Sequence, residues 1–386
     1  MLIVADENIP FIREAFNTLG DVRVAHGRQI TPELVRDAEM LLVRSITPVN
    51  EALLAGSRVR FVGTATIGTD HVDLAWLKKA DIAFSAAPGS NANSVGEYMV
   101  AALLTLAQRQ GKPLAGRSIG IVGVGNVGQR VEAKCRALGM RVLLNDPPLA
   151  RRTGDPKYRP LDELFDCDFI TLHVPLDKGG QDPTHHLADD RFLRRMRRDA
   201  VLCNASRGAV HDTSALLAAL DEERLAGVVL DVWEGEPNIS LELLKRAALG
   251  TPHIAGYSYD GKVNGTAMIY AAACQSLGVA PRWDRGAHMP APEVPELSLE
   301  AGRRPDEDVL REAVLKLYPI ERDDAALRRI AQAPPEKRGA HFDKLRKDYP
   351  VRREFAHTLV RVRAGGAGQA ALEAKLAGVG FWVKYA

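Results

Sequence analysis

Cysteine is scarce in this chain of 386 residues: Cys135, Cys167, Cys203 and Cys274 are the four present, scattered and without a C-x-x-C pair. That pattern excludes a disulfide frame and a cysteine zinc site, and it fits reduced thiols in a cytoplasmic protein. No run of about 18 apolar residues occurs, so no membrane-spanning helix is expected. The N-terminus opens on an apolar strand pattern at residues 2–5 without a basic segment and long apolar stretch, so no signal peptide is read there. Neither sign of charge dominates. With 51 basic and 49 acidic residues the formal net charge is +2, which demands neither nucleic acid nor a membrane surface as partner. Internal repeats and low-complexity tracts are lacking too.

Hydrophobic residues at 46% suffice for sizeable cores, and the length suggests two or three domains. Residues 1 to about 90 alternate strand patterns at 2–5, 22–25, 40–44, 61–65 and 82–85 with helical runs at 11–19, 51–55 and 74–79. Short apolar strands separated by crossovers predict a parallel sheet covered on both faces, a flavodoxin-like lobe. A long helix is expected over residues 94–110, after Pro88-Gly89-Ser90-Asn91, and another over 256–278. These two helices are predicted to link two lobes, with the active site in the cleft. Residues 280–296 carry four prolines and read as a linker. Beyond it, strand patterns at 297–299, 358–362 and 381–385, helical ones at 307–317 and 369–376, and a basic stretch around Phe342 make a third, small α/β domain.

The most informative stretch is 118–146. A β-branched run with Ile119, Ile121 and Val122 leads into Gly123-Val-Gly125-Asn-Val-Gly128, then an amphipathic run, then a second apolar run ending on Asp146. That order is strand, glycine turn, helix, strand. Gly123 permits the tight turn, Gly125 lets a pyrophosphate approach the backbone, and Gly128 lets the helix pack on the strand. Helix N–H groups then face the phosphates. Asp146, 18 residues past Gly128, can accept both hydroxyls of an adenosine ribose and would repel a 2′-phosphate, so the cofactor is read as NAD.

Three later segments end apolar strands (169–174, 201–205, 228–232) or follow them with polar groups: Asn204-Ala-Ser-Arg207-Gly208, Asp231-Val-Trp-Glu234-Gly-Glu236-Pro237 and Thr251-Pro-His253-Ile-Ala-Gly256. Ligands of open parallel sheets bind at the carboxyl ends of strands. An arginine, a glutamate and a histidine there suit hydride transfer on a 2-hydroxy acid. Arg207 can clamp the carboxylate bidentately, His253 can exchange the hydroxyl proton, and Glu236 can fix the histidine's tautomer. Taken singly, Arg207 also fits a cap or surface arginine, Glu236 a solvated loop acid and His253 a turn histidine. Their order behind a dinucleotide loop favours the catalytic reading.

Other features invite less. His71 in Thr69-Asp-His-Val-Asp73 reads as helix capping and local pairing. His185-His186, near Asp182 and Asp189-Asp190, reads as an exposed loop, and no metal is expected. The run Arg194-Arg195-Met-Arg197-Arg198 reads as a solvated helix face.

The blocks G-x-G-x-x-G, N-x-x-R-G, D-V-x-x-x-E-P and P-H-x-A/G, in this order, make residues 1 to about 278 resemble the D-isomer-specific 2-hydroxyacid dehydrogenase family. The resemblance implies Arg207 as substrate clamp, Glu236 as partner of the histidine and His253 as acid/base. A nearer likeness, to a branch acting on a phosphorylated 2-hydroxy acid, rests on Asp6-Glu-Asn-Ile-Pro10, Val43-Arg-Ser45, Phe61 to Asp73, Asp231 to Pro237 and Gly250 to Ser258. Phe342-Asp-Lys-Leu-Arg-Lys and Arg352-Arg-Glu-Phe355 are similar to that branch's dimerisation domain. By resemblance Ser45, Thr66 and Tyr257 contact substrate. Asn126, Val127, Asp146, Val174, Ala205, Ser206, Arg207, Asp231 and Gly256 line the NAD site. Arg44 lies nearby to offer charge to the distal phosphate, or else only pairs with a surface acid. Ser206 departs from some relatives, which carry cysteine there.

The expected organisation is a substrate-binding lobe of residues 1–93 and 257–279, a Rossmann NAD-binding domain of 94–256, a linker of 280–296 and a dimerisation domain of 297–386, in a homodimer. The alternatives are a dehydrogenase of the phosphoglycerate or glyoxylate type, and a non-catalytic NAD-sensing scaffold.

Overall fold

The computed structural model describes residues 1–363 and 369–384. The protein is α/β, with three sheets in which every strand pairing among the described residues is parallel. Two compact units are formed. One contains Met1–Asn91 and Ser258–Ala291, the other Ala92–Tyr257 and the chain from Pro292 onward.

The first unit holds β1 (Leu2–Asp6), β2 (Asp21–Ala25), β3 (Met40–Val43), β4 (Phe61–Thr64) and β5 (Ala83–Ser85), in the order β2-β1-β3-β4-β5. This is the flavodoxin-like order. All four residues of β3 and of β4 are buried, as expected of parallel strands covered on both faces. The helix Tyr259–Leu277 supplies one cover, with Ile269, Tyr270, Ala273 and Cys274 packed on Ile3, Ala5, Met40, Leu42 and Phe61. Part of the proline-rich stretch is also fastened here. The amides of Arg282 and Trp283 donate to the Tyr270 hydroxyl at 2.9 and 3.2 Å, and the Trp283 ring meets Tyr270 edge-on. Composition reads this segment as a plain linker because it does not register one buried aromatic contact.

The second unit holds β6 (Ser118–Val122), β7 (Arg141–Asn145), β8 (Phe169–Leu172), β9 (Val201–Asn204), β10 (Gly227–Leu230) and β11 (Leu249–Gly250), in the order β11-β10-β9-β8-β6-β7. Strand order reverses between β6 and β8, the place where an open α/β sheet binds its ligand. The long helix Ala92–Gln110 belongs to this unit, and residues 94–107 are all buried. A helix apolar all round must be enclosed.

What encloses it includes the C-terminal segment. Val309, Leu310, Ala313, Val314, Tyr318, Leu372, Leu376 and Val379 share one core with Tyr98, Leu103, Ile119 and Ile121. The segment forms a third sheet of β12 (Glu296–Glu300), β13 (Leu359–Arg363) and β14 (Trp382–Lys384), in the order β12-β13-β14. Tyr385, at the end of the predicted last strand, lies outside the described residues. A buried polar seam adds direction to the apolar contact. Arg352 Nη1 donates to Glu97 at 2.6 Å and Nη2 to Ser94 Oγ at 2.7 Å, and Lys134 Nζ donates to the Val379 carbonyl at 2.6 Å. The basic stretch around Phe342 is the helix Arg338–Lys347, seated by Phe342 at 0% exposure in the core beneath β8 to β10. No helix among the described residues is long and apolar enough to cross a membrane.

Candidate active site

The glycine loop follows β6 directly. Gly123 has φ 88°, and a Cβ there would stand 2.6 Å from the His173 carbonyl oxygen. At Gly128 a Cβ would stand 2.1 Å from the Gly123 carbonyl oxygen. Neither position accepts a side chain. Gly125 differs, for nothing lies within 4 Å of its Cβ position. A side chain there would obstruct only what approaches from outside, which fits a pyrophosphate. Asn126 and Val127 open the helix Asn126–Ala137, whose Gln129 amide bonds back to Gly125 O at 3.1 Å. The amides before Gln129 lie in the turn that suits an anion.

Asp146 follows β7 directly and ties two elements together. Oδ1 accepts from the Leu149 amide at 2.9 Å, capping the helix Pro147–Thr153, and Oδ2 accepts from the Val124 amide of the loop at 2.8 Å. Each carboxylate oxygen still has acceptor capacity for a ribose hydroxyl. Val174, after β8, stands against Gly123, its Cγ1 2.9 Å from that glycine's Cβ position. These residues together fit a dinucleotide.

After β9 the chain turns through Ala205, Ser206 and Arg207, and Asn204 holds the turn. Its Oδ1 accepts from the Ser206 amide at 3.0 Å and hydroxyl at 2.8 Å, and its Nδ2 donates to the Arg207 carbonyl at 2.9 Å. Arg207 Nη1 donates to the Ser206 carbonyl at 2.7 Å. At Gly208 a Cβ would lie 2.0 Å from the Trp233 carbonyl oxygen, so only glycine lets this turn meet the Asp231 segment. Asn204 is a residue whose role the motif hides. An asparagine at a strand end ahead of a turn is the available signal.

His253 Nδ1 lies 2.7 Å from Glu236 Oε2, and Glu236 Oε1 accepts from the Trp233 amide at 2.8 Å. Burial pushes the Glu236 carboxyl up, but the His253 ring, the Trp233 amide and the Arg346 guanidinium outweigh it and hold it below the usual range. Arg346 is not among the residues expected from sequence. His253 has φ 58°, a strained value for a non-glycine residue. What holds it is Asp231, whose carbonyl accepts from the His253 amide at 2.7 Å. The Asp231 carboxylate accepts from the Ile254 amide at 2.8 Å, the Ala255 amide at 2.9 Å and the Thr251 hydroxyl at 2.7 Å. Burial raises the Asp231 pKa against these donors. Expected to line the NAD site, Asp231 is 1% exposed and organises the histidine loop from beneath. Gly256 and Tyr257 complete that loop, with the Tyr257 amide bonded to Ile254 O at 2.8 Å.

In the first unit Arg44 and Ser45 follow β3 and Thr66 follows β4, adjacent strands joined at this end by the Ala65 amide to Val43 O at 2.9 Å. Thr66 Oγ1 lies 2.7 Å from Thr64 Oγ1, and Arg44 Nη1 donates to the Asn8 carbonyl at 3.2 Å. His71 bonds Thr64 Oγ1 at 3.0 Å, while Asp73 caps the helix Leu74–Lys79. His185 and His186 lie in a turn, with His185 exposed, and His186 Nε2 lies 2.6 Å from Glu234 Oε1, while Glu234 also accepts from the Thr213 amide.

Residues 86–255 match the D-isomer specific 2-hydroxyacid dehydrogenase NAD binding domain, and residues 288–378 match a domain of unknown function. An Escherichia fergusonii protein named erythronate-4-phosphate dehydrogenase is 49% identical over 361 residues, 93% of this chain and 94% of that one. The Escherichia coli protein of the same name is 48% identical over 361 residues, with the same coverage. Among solved structures, the D-lactate dehydrogenase of Aquifex aeolicus, complexed with NAD and lactic acid, aligns with a TM-score of 0.59 at 26% identity, over 72% of this chain and 96% of that one. The chain belongs to the erythronate-4-phosphate dehydrogenase family, among the D-isomer-specific 2-hydroxyacid dehydrogenases.

Proposed function

We propose that the protein oxidises 4-phospho-D-erythronate at C2 to 2-oxo-3-hydroxy-4-phosphobutanoate, a step of pyridoxal 5′-phosphate biosynthesis, in the cytoplasm. The observation that carries this reading is the 2.7 Å pair of His253 and Glu236, set at the sheet end beside the Arg207 turn. NAD⁺, when bound by the glycine loop and Asp146, supplies the hydride acceptor. His253 takes the proton of the C2 hydroxyl. Glu236, kept ionised by its donors, stabilises the imidazolium that results and fixes the ring through Nδ1. Arg207 holds the substrate carboxylate and polarises the oxygen at C2. Ser45, Thr66 and Tyr257 offer hydroxyls to the substrate, and Arg44 offers charge to its phosphate.

Homodimerisation through residues 297–386 is part of the same proposal. Trp382 at 62% exposure and Val351 at 53% support it as apolar groups on that segment. The test is a panel of 4-phospho-D-erythronate, 3-phosphoglycerate, glycerate and D-lactate with NAD⁺, read by NADH formation, alongside light scattering. Preference for 4-phospho-D-erythronate and a mass near twice 42.0 kDa are expected. Preference for 3-phosphoglycerate or glycerate would move the protein to another branch, and no turnover of any substrate would favour the scaffold.

A further inference from the structure

The helix Arg338–Lys347 brings one more cation to the catalytic corner. Phe342 fixes the helix in the core, and Arg346, four residues on, shares its face. The start of the helix is pressed on the catalytic loop. A Cβ at Gly339 would lie 2.9 Å from Asn238 Oδ1 and 3.3 Å from Pro237 Cγ, the two residues after Glu236. Arg346 Cζ stands 5.9 Å from the centroid of the Tyr257 ring, and that ring meets Tyr349 edge-on at 5.8 Å. The Arg346 side chain is half-buried, and its Nε is fully buried with no hydrogen-bond partner among the described residues. Burial disfavours the charge, yet Tyr257 and Glu236 restore it and raise the pKa above the ordinary arginine value.

The guanidinium fork matches phosphate bidentately, which an ammonium does not. Arg207 answers for the substrate's carboxylate, and the phosphate, with nearly two negative charges, calls for more than the single cation Arg44 proposed above. Arg346 stands beside Tyr257 and close enough to Glu236 for each to act on the other's charge. We infer that Arg346 binds the phosphate of the substrate, so that the C-terminal segment is part of the active site and distinguishes phosphorylated from unphosphorylated 2-hydroxy acids. The inference rests on the dehydrogenase reading above.

The experiment compares wild type, Arg346→Gln and Arg346→Lys in full-length protein, with 4-phospho-D-erythronate and D-erythronate as substrates and NAD⁺ affinity measured by fluorescence. Turnover of neither substrate by the wild type would sink the dehydrogenase reading itself, whatever the variants do. With the wild type active, Arg346→Gln is expected to lower kcat/KM for the phosphorylated substrate about 100-fold, mostly through KM. The value for D-erythronate should fall less, by about tenfold at most, because Glu236 loses a neighbouring cation, while NAD⁺ affinity stays within about threefold and Arg346→Lys lies between. An equal loss on both substrates would overturn the inference, leaving Arg346 a positioning residue for Glu236, and so would no loss on either. Inorganic phosphate gives a reading that needs no variant. It should compete with the phosphorylated substrate in the wild type, and an absence of competition counts against the inference.

Discussion

Around residues 123–128 the backbone takes its shape from side chains that are missing, while around residues 231–253 it takes its shape from side chains that are present. In the glycine loop a Cβ at Gly128 would sit 2.1 Å from a carbonyl oxygen, and the Asp146 side chain adds a bond to the loop through the Val124 amide at 2.8 Å. At the histidine corner the strained φ of His253 persists because a buried carboxylate, Asp231, takes two amides and a hydroxyl of the surrounding loop. Exclusion is local and tolerates no substitution. Hydrogen bonding is non-local and can be weakened by degrees.

The largest effect is expected at Gly128. Replacing it with alanine forces a backbone clash that should cost about 3 kcal/mol and abolish NAD⁺ affinity. Thermal unfolding and NAD⁺ titration check both, and a variant that binds NAD⁺ normally would end the argument from exclusion. Next comes His253→Ala, expected to lower kcat by about 10²–10⁴-fold while NAD⁺ affinity stays near wild type, because the loop and the corner are built independently. Steady-state kinetics decide. A rate within a few-fold of wild type would remove His253 from the chemistry.

The smallest effect concerns Asp323, whose carboxylate accepts from the Tyr349 hydroxyl at 3.0 Å next to the Tyr257 ring. Burial lifts its pKa to about 6 from 3.8. A raised carboxyl favours the neutral form in the folded state, so its stabilisation is full below pH 3.8 and is lost as pH rises through about 6. Asp323→Asn should therefore gain thermal stability over wild type on going from pH 4 to pH 7, by about 4–8 °C, the shift that about 2 kcal/mol produces in a large domain. An equal gap at both pH values would show that the carboxyl titrates normally.

These two regions also differ in how far they were legible in the sequence. The strand, glycine turn, helix and terminal acid of 118–146 could be read because each residue's job is set by neighbours within about thirty positions. Arg207, Glu236 and His253 were found through their motif order, which places them at strand ends without saying what holds them there. The work of Asp231 and Asn204 was hidden, since a buried acid and a turn amide look alike in sequence whether they face ligand or backbone. Arg346 was hidden more deeply. Its stretch is polar, and one buried phenylalanine, Phe342, decides that it becomes a helix against the catalytic loop. The helix Ile320–Arg328 went unread as well, because Asp324 fixes it through a bond from the Gly250 amide at 2.7 Å, 74 residues away.

The shared core of the second unit has a consequence for the order in which the chain is made. The helix Ala92–Gln110 emerges from the ribosome some two hundred residues before Val309, Leu310, Tyr318 and Leu376, the side chains that cover it. During that interval the helix is covered by its own sheet, through Ile119, Phe169, Val201 and Leu249, while the face that meets Val309 and Leu376 stays open and Glu97 lacks Arg352. A chain halted near residue 290 would therefore display a surface that its finished form conceals.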